Sequence, residues 1–468
     1  MINLLKRIGS LYKIIIVLLD LALINIAYIL AFLIKFGSLP ERNFISYLQA
    51  APFITIAALI YFDVFGMLKF YGKTVYETVS SILFVVFLIG VTATAITYFN
   101  QGYAFPRSIL LITPVIQIIL LSIWKVFLLK IRRYILGAKS AMIIGNISAS
   151  STSIDKVKAA MEQDNVVIKY IYSSDESAKI FKRINTMDEV FICDDIPNEL
   201  KMKIISHCIG GRQIIYVIPQ LFEISLSNSK LTQFYDIPAF MIGKLDLSIE
   251  QKFFKRLFDL GISFTGMILS IPLVLIIIPL IRLTSQGPVL YTQERVTKNN
   301  RIFKIYKFRT MYVGAEDETG PVLSSGKNDP RVTKAGSILR KLRLDELPQL
   351  LNVLKGEMSI VGPRPERPCF VEEFCESIPE YSHRYAVKAG VTGYAQVLGY
   401  YNTSAEDKLR YDLIYIKNYS LLLDIKLMLQ TIKVMFVGNM GNDKVIAASF
   451  NKGKKHDKLQ NKEHAVRL

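Results

Sequence analysis

Metal-binding and redox-active side chains are scarce in this sequence. Its 468 residues include four histidines and four cysteines. His207, His383, His456 and His464 are scattered along the chain, which argues against a histidine-based metal centre. Cys193, Cys208, Cys369 and Cys375 show no metal-type C-x-x-C spacing, and a reduced compartment fits. The glycine-rich dinucleotide fingerprint is missing too. After the apolar run 141–145 the chain reads IIGNISAS, where only Gly145 stands in for the three glycines of G-x-G-x-x-G. Negative charge is in deficit: 57 Lys and Arg face 39 Asp and Glu, a net charge of +18, and most of the excess follows residue 250. Beside apolar segments, such a surface points to anionic lipid or phosphate ligands. Nucleic acid would suit the charge alone, but its binders seldom carry membrane spans, so no nucleic-acid partner is expected.

What the chain has in abundance is apolar sequence. Hydrophobic residues make up 51% and the mean hydropathy is +0.33. They concentrate in the first 130 residues and again near 262–283. Residues 12–34 are long enough to cross a bilayer core of ~30 Å. They carry no small-residue cleavage site and read as an anchor. Three more candidate spans lie near 45–66, 79–99 and 108–129. Basic clusters before the first span (Lys6, Arg7, Lys13) and after the fourth (Lys130, Arg132, Arg133) both prefer the cytoplasm, which an even number of spans allows. Asp20 and Asp63 are costly in lipid and are expected to pair within the bundle or sit near an interface.

From 139 to 245 short apolar runs (141–145, 166–172, 189–193, 213–218) alternate with helix-like stretches near 153–163 and 197–209. That alternation predicts a small parallel α/β sheet, Rossmann-like but without a dinucleotide. The apolar segment 262–283 contains Pro272 near its middle and Pro279 further on. Basic residues on both flanks prefer the cytoplasm, so a re-entrant helix, broken at Ser270–Pro272, satisfies the charge pattern better than a fifth span. Residues 421–436 carry Leu422, Ile425, Leu429, Ile432 and Phe436 at helical spacing, a stripe suited either to core packing or to a membrane interface. The lysine-rich tail 438–468 is expected to be disordered.

The C-terminal part holds a dense set of phosphate-suited groups. Asp345 and Glu346 follow the basic stretch SILRKLR and precede Pro348. Neighbouring side chains diverge on a helix but can converge at a helix break. There one carboxylate could attack phosphorus while the other holds a metal. A carboxylate attacking a diphosphate brings like charges together, so cations must offset the repulsion. Arg364, set between Pro363 and Pro365, has a restricted backbone from which to grip a phosphate. Lys307 and Arg309, at i and i+2 in a strand-like FKIYKFRTM, would share one face.

The block from about 252 to 437 resembles the bacterial sugar transferase family of monotopic polyprenyl-phosphate sugar-1-phosphate transferases. The resemblance rests on KRLFDL (255–260), SIP (270–272), GPVLYTQERV (287–296), IYKFRTM (305–311), NDPRVTKAGSILRK (328–341), LDELPQLLNVLKGEMSIVGPRPE (344–366), VKAGVTGYAQV (387–397) and LRYDLIYIKNYSLLLDIK (409–426). It implies an α-rich catalytic module on the re-entrant helix. UDP-sugar and undecaprenyl phosphate are the implied substrates, with Mg2+ as cofactor. Asp345 would match the nucleophile, and Glu346 its partner, with the metal held by Glu346 and Asp345. Lys307, Arg309, Arg331 and Arg364 would match basic positions near the diphosphate. Two departures from the family pattern are RVTKNNRIF, where Thr297 and Asn300 replace turn glycines, and Ala389 in VKAG. Asn tolerates the left-handed backbone such a turn needs.

The resulting expectation is an α-helical membrane bundle (1–134), a Rossmann-like α/β domain (139–245) and a catalytic module (250–437) containing the 262–283 helix. A bacterial plasma-membrane location with the module in the cytoplasm is implied, and a homo-oligomer is compatible with it. The competing readings are a membrane-bound nucleotide-sugar dehydratase or epimerase, which the degraded glycine turn disfavours, and a non-catalytic regulatory protein, which the complete carboxylate pair and GPRP loop disfavour.

Overall fold

The computed structural model describes residues 2–68, 74–99, 106–136, 139–146, 152–163, 166–211, 213–227, 229–234, 236–315, 329–399 and 403–437. The tail expected to be disordered lies outside them. The chain forms two compact units, one running up to Ile218 and the other from Pro219 onward.

The first unit opens with four long helices: α1 (Ile2–Phe36), α2 (Glu41–Val64), α3 (Val75–Phe99) and α4 (Arg107–Leu136). All four are long and apolar enough to cross a membrane. α1 packs chiefly on α4, and α3 on both α4 and α2. Ile24, Ala27, Phe32, Ile54, Ile82 and Leu121 close the interior, while Leu18, Phe53, Phe87 and Leu111 face outward. Apolar residues on the outside of an isolated bundle are what lipid contact selects. Asp20 is fully buried and pairs across the bundle with Lys125 Nζ at 2.5 Å and Trp124 Nε1 at 3.0 Å. Asp63 is exposed near the end of α2.

A parallel sheet follows. β1 (Lys139–Ile144), α5 (Thr152–Gln163), β2 (Val166–Tyr172), α6 (Ser177–Arg183), β3 (Glu189–Ile192), α7 (Asn198–Ile209) and β4 (Ile214–Val217) alternate, with strand order β2-β1-β3-β4. β1 is buried over five consecutive residues, the continuous apolar pattern of a central parallel strand. At its carboxyl end, Asn146 N donates to Asp195 (2.7 Å) and Ser153 Oγ to Asp194 (3.2 Å). Two carboxylates therefore stand where a dinucleotide would need its phosphates accommodated.

The second unit begins with α8 (Leu221–Leu226), well upstream of residue 250, and with the hairpin β5 (Lys230–Phe234) and β6 (Ile237–Met241). Ile224 and Leu245 join a core containing Val296, Tyr381 and Leu413. α9 (Ile249–Thr284) is continuous through Pro272 and Pro279. The break expected at Ser270–Pro272 therefore does not appear as an interruption of the helix. Each proline removes one intrahelical hydrogen bond and the flanking turns keep theirs, while Ser270 Oγ donates to Met267 O (2.8 Å). α9 is the fifth helix of membrane-crossing length and apolarity.

The antiparallel hairpin β7 (Leu290–Val296) and β8 (Ile302–Phe308) follows. Its turn places Asn299 at φ 57° and Asn300 at φ 56°, so asparagine supplies the left-handed backbone in place of glycine. Next come α10 (Lys334–Lys341), α11 (Gln349–Lys355), β9 (Ser359–Val361), α12 (Pro368–Ser377), β10 (Gly390–Thr392), α13 (Tyr394–Leu398), α14 (Ala405–Lys417) and α15 (Leu421–Val437). β9 and β10 pair in parallel. α15 turns Asp424 and Leu427 into the core, so the stripe of Leu422, Ile425 and Ile432 faces outward.

Candidate active site

The carboxylate pair sits on a short 3-10 turn, Leu344–Glu346, between α10 and α11. Local sequence explains why the helix stops there. Arg343 adopts a left-handed backbone (φ 51°, ψ 23°), which ends α10, and Pro348 starts α11. Leu344 and Leu347 anchor the turn against Ile277 and Ile281 of α9, together with Phe308 and Leu339. α10 is seated by Thr333, whose side chain caps Gly336 N (2.9 Å) and whose amide donates to Thr310 O (3.0 Å). Gly336 is required here, since a Cβ would lie 2.0 Å from Thr310 O. α11 is bolted to β8 by Asn352, fully buried, which donates to Lys304 O (2.8 Å) and accepts from Tyr306 N (3.0 Å). That bolt sets the position of Lys307, the residue after Tyr306.

Glu346 accepts a hydrogen bond from Arg364 Nη2 (3.2 Å) and lies 3.7 Å from Lys307 Nζ. Burial pushes its pKa up, but Arg364, Lys307 and Arg343 outweigh that and hold it below the ordinary glutamate value. Asp345 is buried and shifts the other way: burial, and then the charge of Glu346, raise its pKa. Burial likewise lowers the pKa of Lys307. The two carboxylates thus differ in character. Glu346 is clamped by cations. Asp345 has no hydrogen-bond partner among the described residues and keeps its oxygens free.

The loop Gly362–Glu366 that brings Arg364 to Glu346 is tied at several points. Arg384 Nη2 donates to Arg364 O (3.0 Å), and Arg295 Nη1 to Pro365 O (3.2 Å). Val296 N donates to Glu366 O (3.0 Å). Arg384 is itself buried, paired with Asp412 at 2.7 Å and hydrogen-bonded to the Tyr381 hydroxyl. Gly362 permits the close approach of β10, since a Cβ there would meet Lys388 O at 2.4 Å.

The structure therefore gathers Asp345, Glu346, Lys307 and Arg364. Arg309 and Arg331 have their side chains engaged with other groups of the protein. Arg309 is buried against the end of α9 and donates to Gln286 O (2.6 Å), Ser285 O (2.7 Å) and Ser285 Oγ (2.9 Å). Strand alternation does not carry it onto the face of Lys307, because β8 ends at Phe308. Arg331 forms a two-point pair with Asp329, Nε to Oδ1 at 2.9 Å and Nη2 to Oδ2 at 2.7 Å. Ser270 and Pro272 lie within α9, away from the carboxylate turn in sequence. The site also includes cations that motif reading did not assign. Arg340, its Nε on Thr310 Oγ1 (3.0 Å), acts electrostatically on Asp345. Arg343 acts on both carboxylates. The signal for these two was the basic run SILRKLR itself. Arg295 lay within the GPVLYTQERV block but was given no role there, and nothing in local pattern flagged Arg384.

Residues 250–438 match the sequence model of a family described as bacterial sugar transferase. The chain is 39% identical over 248 residues to UDP-N-acetylgalactosamine-undecaprenyl-phosphate N-acetylgalactosaminephosphotransferase of Aeromonas hydrophila, covering 52% of this chain and 57% of that one. It is 34% identical over 261 residues to UDP-glucose:undecaprenyl-phosphate glucose-1-phosphate transferase of Klebsiella pneumoniae, covering 54% and 56%. It is 40% identical over 190 residues to exopolysaccharide production protein PSS of Rhizobium leguminosarum bv. phaseoli, covering 38% of this chain and 92% of that one. The match thus spans little more than half the length of the first two relatives.

Proposed function

Because the chain belongs to the bacterial sugar transferase family, we propose that it transfers a sugar 1-phosphate from a UDP-sugar to undecaprenyl phosphate, releases UMP, and so initiates an exopolysaccharide, capsule or O-antigen type glycan. Asp345 is the nucleophile. One of its oxygens attacks the sugar-linked phosphorus, the bond from that phosphorus to the bridging oxygen breaks, and the oxygen departs with UMP. The enzyme then holds the sugar phosphate as a mixed anhydride on Asp345. An oxygen of undecaprenyl phosphate attacks the same phosphorus, the bond to Asp345 breaks, and the carboxylate is regenerated. Lys307 and Arg364 offset the negative charge that gathers as two anions meet.

One observation carries the reading. Beside a glutamate held by an arginine and a lysine stands a buried aspartate whose oxygens have no hydrogen-bond partner among the described residues. A clamped carboxylate next to an uncommitted one divides the labour that phosphoryl transfer requires. Mg2+ suits this donor set, since it is typically held by one or two carboxylates plus substrate phosphates. Among the described residues no larger cluster of acidic, cysteine or histidine side chains competes. Glu346 and Asp345 would hold the ion, which when bound supplies positive charge to the diphosphate oxygens.

A re-entrant α9, with the module at the cytoplasmic face of a bacterial plasma membrane, is supported by the basic residues on both flanks of its apolar segment. Near its start, Arg256 donates to Val353 O (2.6 Å) and Leu354 O (2.8 Å), and Asp259 accepts from Ser359 Oγ and Ile360 N (both 3.0 Å). Near its end, Ile277 and Ile281 join the core beneath the carboxylate turn. α9 is thus tied to one globular unit near its start and near its end, in keeping with a helix that anchors that unit at the membrane surface. The outward apolar face of Phe264, Leu269, Leu275 and Ile276 would meet lipid. The middle domain reads as Rossmann-like without a dinucleotide, in keeping with Asp194 and Asp195 at its strand ends.

The test incubates membranes carrying the protein with undecaprenyl phosphate and a panel of UDP-sugars, starting with UDP-N-acetylgalactosamine and UDP-glucose, and measures UMP release. Asp345→Asn is expected to remain folded and membrane-bound yet release no UMP. Substantial turnover by that variant would overturn the nucleophile assignment.

A further inference from the structure

Most arginines around the carboxylate turn are committed to the protein itself. Arg309 caps the end of α9, Arg331 pairs with Asp329, and Arg384 pairs with Asp412 and holds Arg364 O. Arg295 donates to Pro365 O and Gln293 Oε1, Arg340 to Thr310 Oγ1, and Arg364 to Glu346. Arg343 differs. It is half-buried, and among the described residues its guanidinium has no hydrogen-bond or ion-pair partner. Its charge nevertheless acts on both Glu346 and Asp345.

Its backbone is also unusual. Arg343 is one of three non-glycine residues with positive φ among those described, and the other two are the asparagines of the β7–β8 turn. Asn enters that region at little cost, whereas a long side chain is disfavoured there. Glycine would fit the position better. An arginine in a glycine-suited conformation, two residues before the carboxylate pair, is a local conflict that packing does not resolve, since its polar end binds nothing among the described residues. Such conflicts concentrate at functional sites.

We infer that Arg343 is a further substrate-binding residue, whose guanidinium takes the phosphate oxygens of the donor's diphosphate beside the carboxylate pair. The inference rests on the proposed transfer reaction and deepens it. Lys307 and Arg364 meet Glu346, while Arg343 offers its whole planar fork to the phosphates. The left-handed backbone of Arg343 turns the chain between α10 and the carboxylates, so that Arg343 is part of the site rather than of the helix.

The position allows a clean test, because the substitution that removes the guanidinium also removes the backbone strain. Arg343→Gly, in the full-length protein in membranes, is expected to keep or raise the melting temperature. Its kcat/KM for the UDP-sugar should fall roughly tenfold or more, the loss expected for a charge-assisted hydrogen bond. Millimolar guanidinium ion should restore part of the loss, a response a purely structural role would not give. A fall below about fivefold, a loss without guanidinium rescue, or a lowered melting temperature would each overturn the inference. Asp345→Asn run in parallel separates the two levels. If it retains UMP release, the transfer reading itself fails; if it is inactive while Arg343→Gly is normal, only the role of Arg343 fails.

Discussion

The pair Arg384–Asp412 offers a way to uncouple the stability of the module from the placement of Arg364. Both side chains are almost wholly excluded from solvent, at 1% and 2% exposure, and their charged atoms lie 2.7 Å apart. Arg384→Met would leave Asp412 as an uncompensated buried charge, which typically costs about 3–5 kcal/mol. Adding Asp412→Leu removes that charge, and replacing a buried pair by apolar residues of similar volume is often near neutral or stabilising. The double variant should therefore recover most of the stability. It should not recover activity, because the hydrogen bond from Arg384 to Arg364 O is still gone. Losing a bond of that charged type costs about 1.5–3 kcal/mol, or roughly 10–100-fold in kcat/KM if it serves only to hold the loop. Chemical denaturation in lipid nanodiscs reads the first quantity and UMP release the second. Two results would refute the reasoning: a double variant as unstable as the single one, or one with wild-type kcat/KM.

Two further outcomes follow from the carboxylate turn. Since burial and Glu346 raise the pKa of Asp345, the acid limb of kcat/KM should lie above the ordinary aspartate value of about 4, with activity lost as pH falls through it. In residual activity, Glu346→Gln removes a like charge and should move that limb to lower pH, whereas Lys307→Gln removes a cation and should move it higher; a pH–rate series that shifts the opposite way contradicts the assignment. Arg364→Ala should weaken kcat/KM for the UDP-sugar by about 2 kcal/mol, the low end for truncating a charge pair, because its side chain remains partly exposed; unchanged kinetics would place the phosphate elsewhere.

Much of the fold could be read before the structure was known, because its signals are periodic. The four apolar stretches coincide with α1–α4 to within a few residues, except where α1 begins earlier and α4 runs on into its basic end. The strand reading 166–172 coincides with β2. Those elements are specified by hydrophobic runs, which are local. The site was legible only where chemistry lies on the chain as a motif, as with Asp345, Glu346 and Arg364. The shared face expected for Lys307 and Arg309 did not follow, because the alternation rule was carried one residue past the end of β8. Arg384 was invisible because its role depends on Asp412 and on a loop carbonyl distant in sequence, which no window along the chain brings together. The stripe on α15 was seen, but its direction was not: helical spacing shows that one face is apolar, and only the buried Lys255–Asp424 pair, at 2.6 Å, shows that the opposite face turns inward.

That outward stripe has a practical consequence. Leu422, Ile425 and Ile432 stay uncovered when α15 docks, and Phe253, Phe254 and Leu257 at the start of α9 are equally bare. A fragment shorn of α1–α4 would still carry this greasy keel. Cutting away the bundle would therefore not turn the module into an ordinary aqueous enzyme, and purification without detergent or lipid would leave the keel to find another keel.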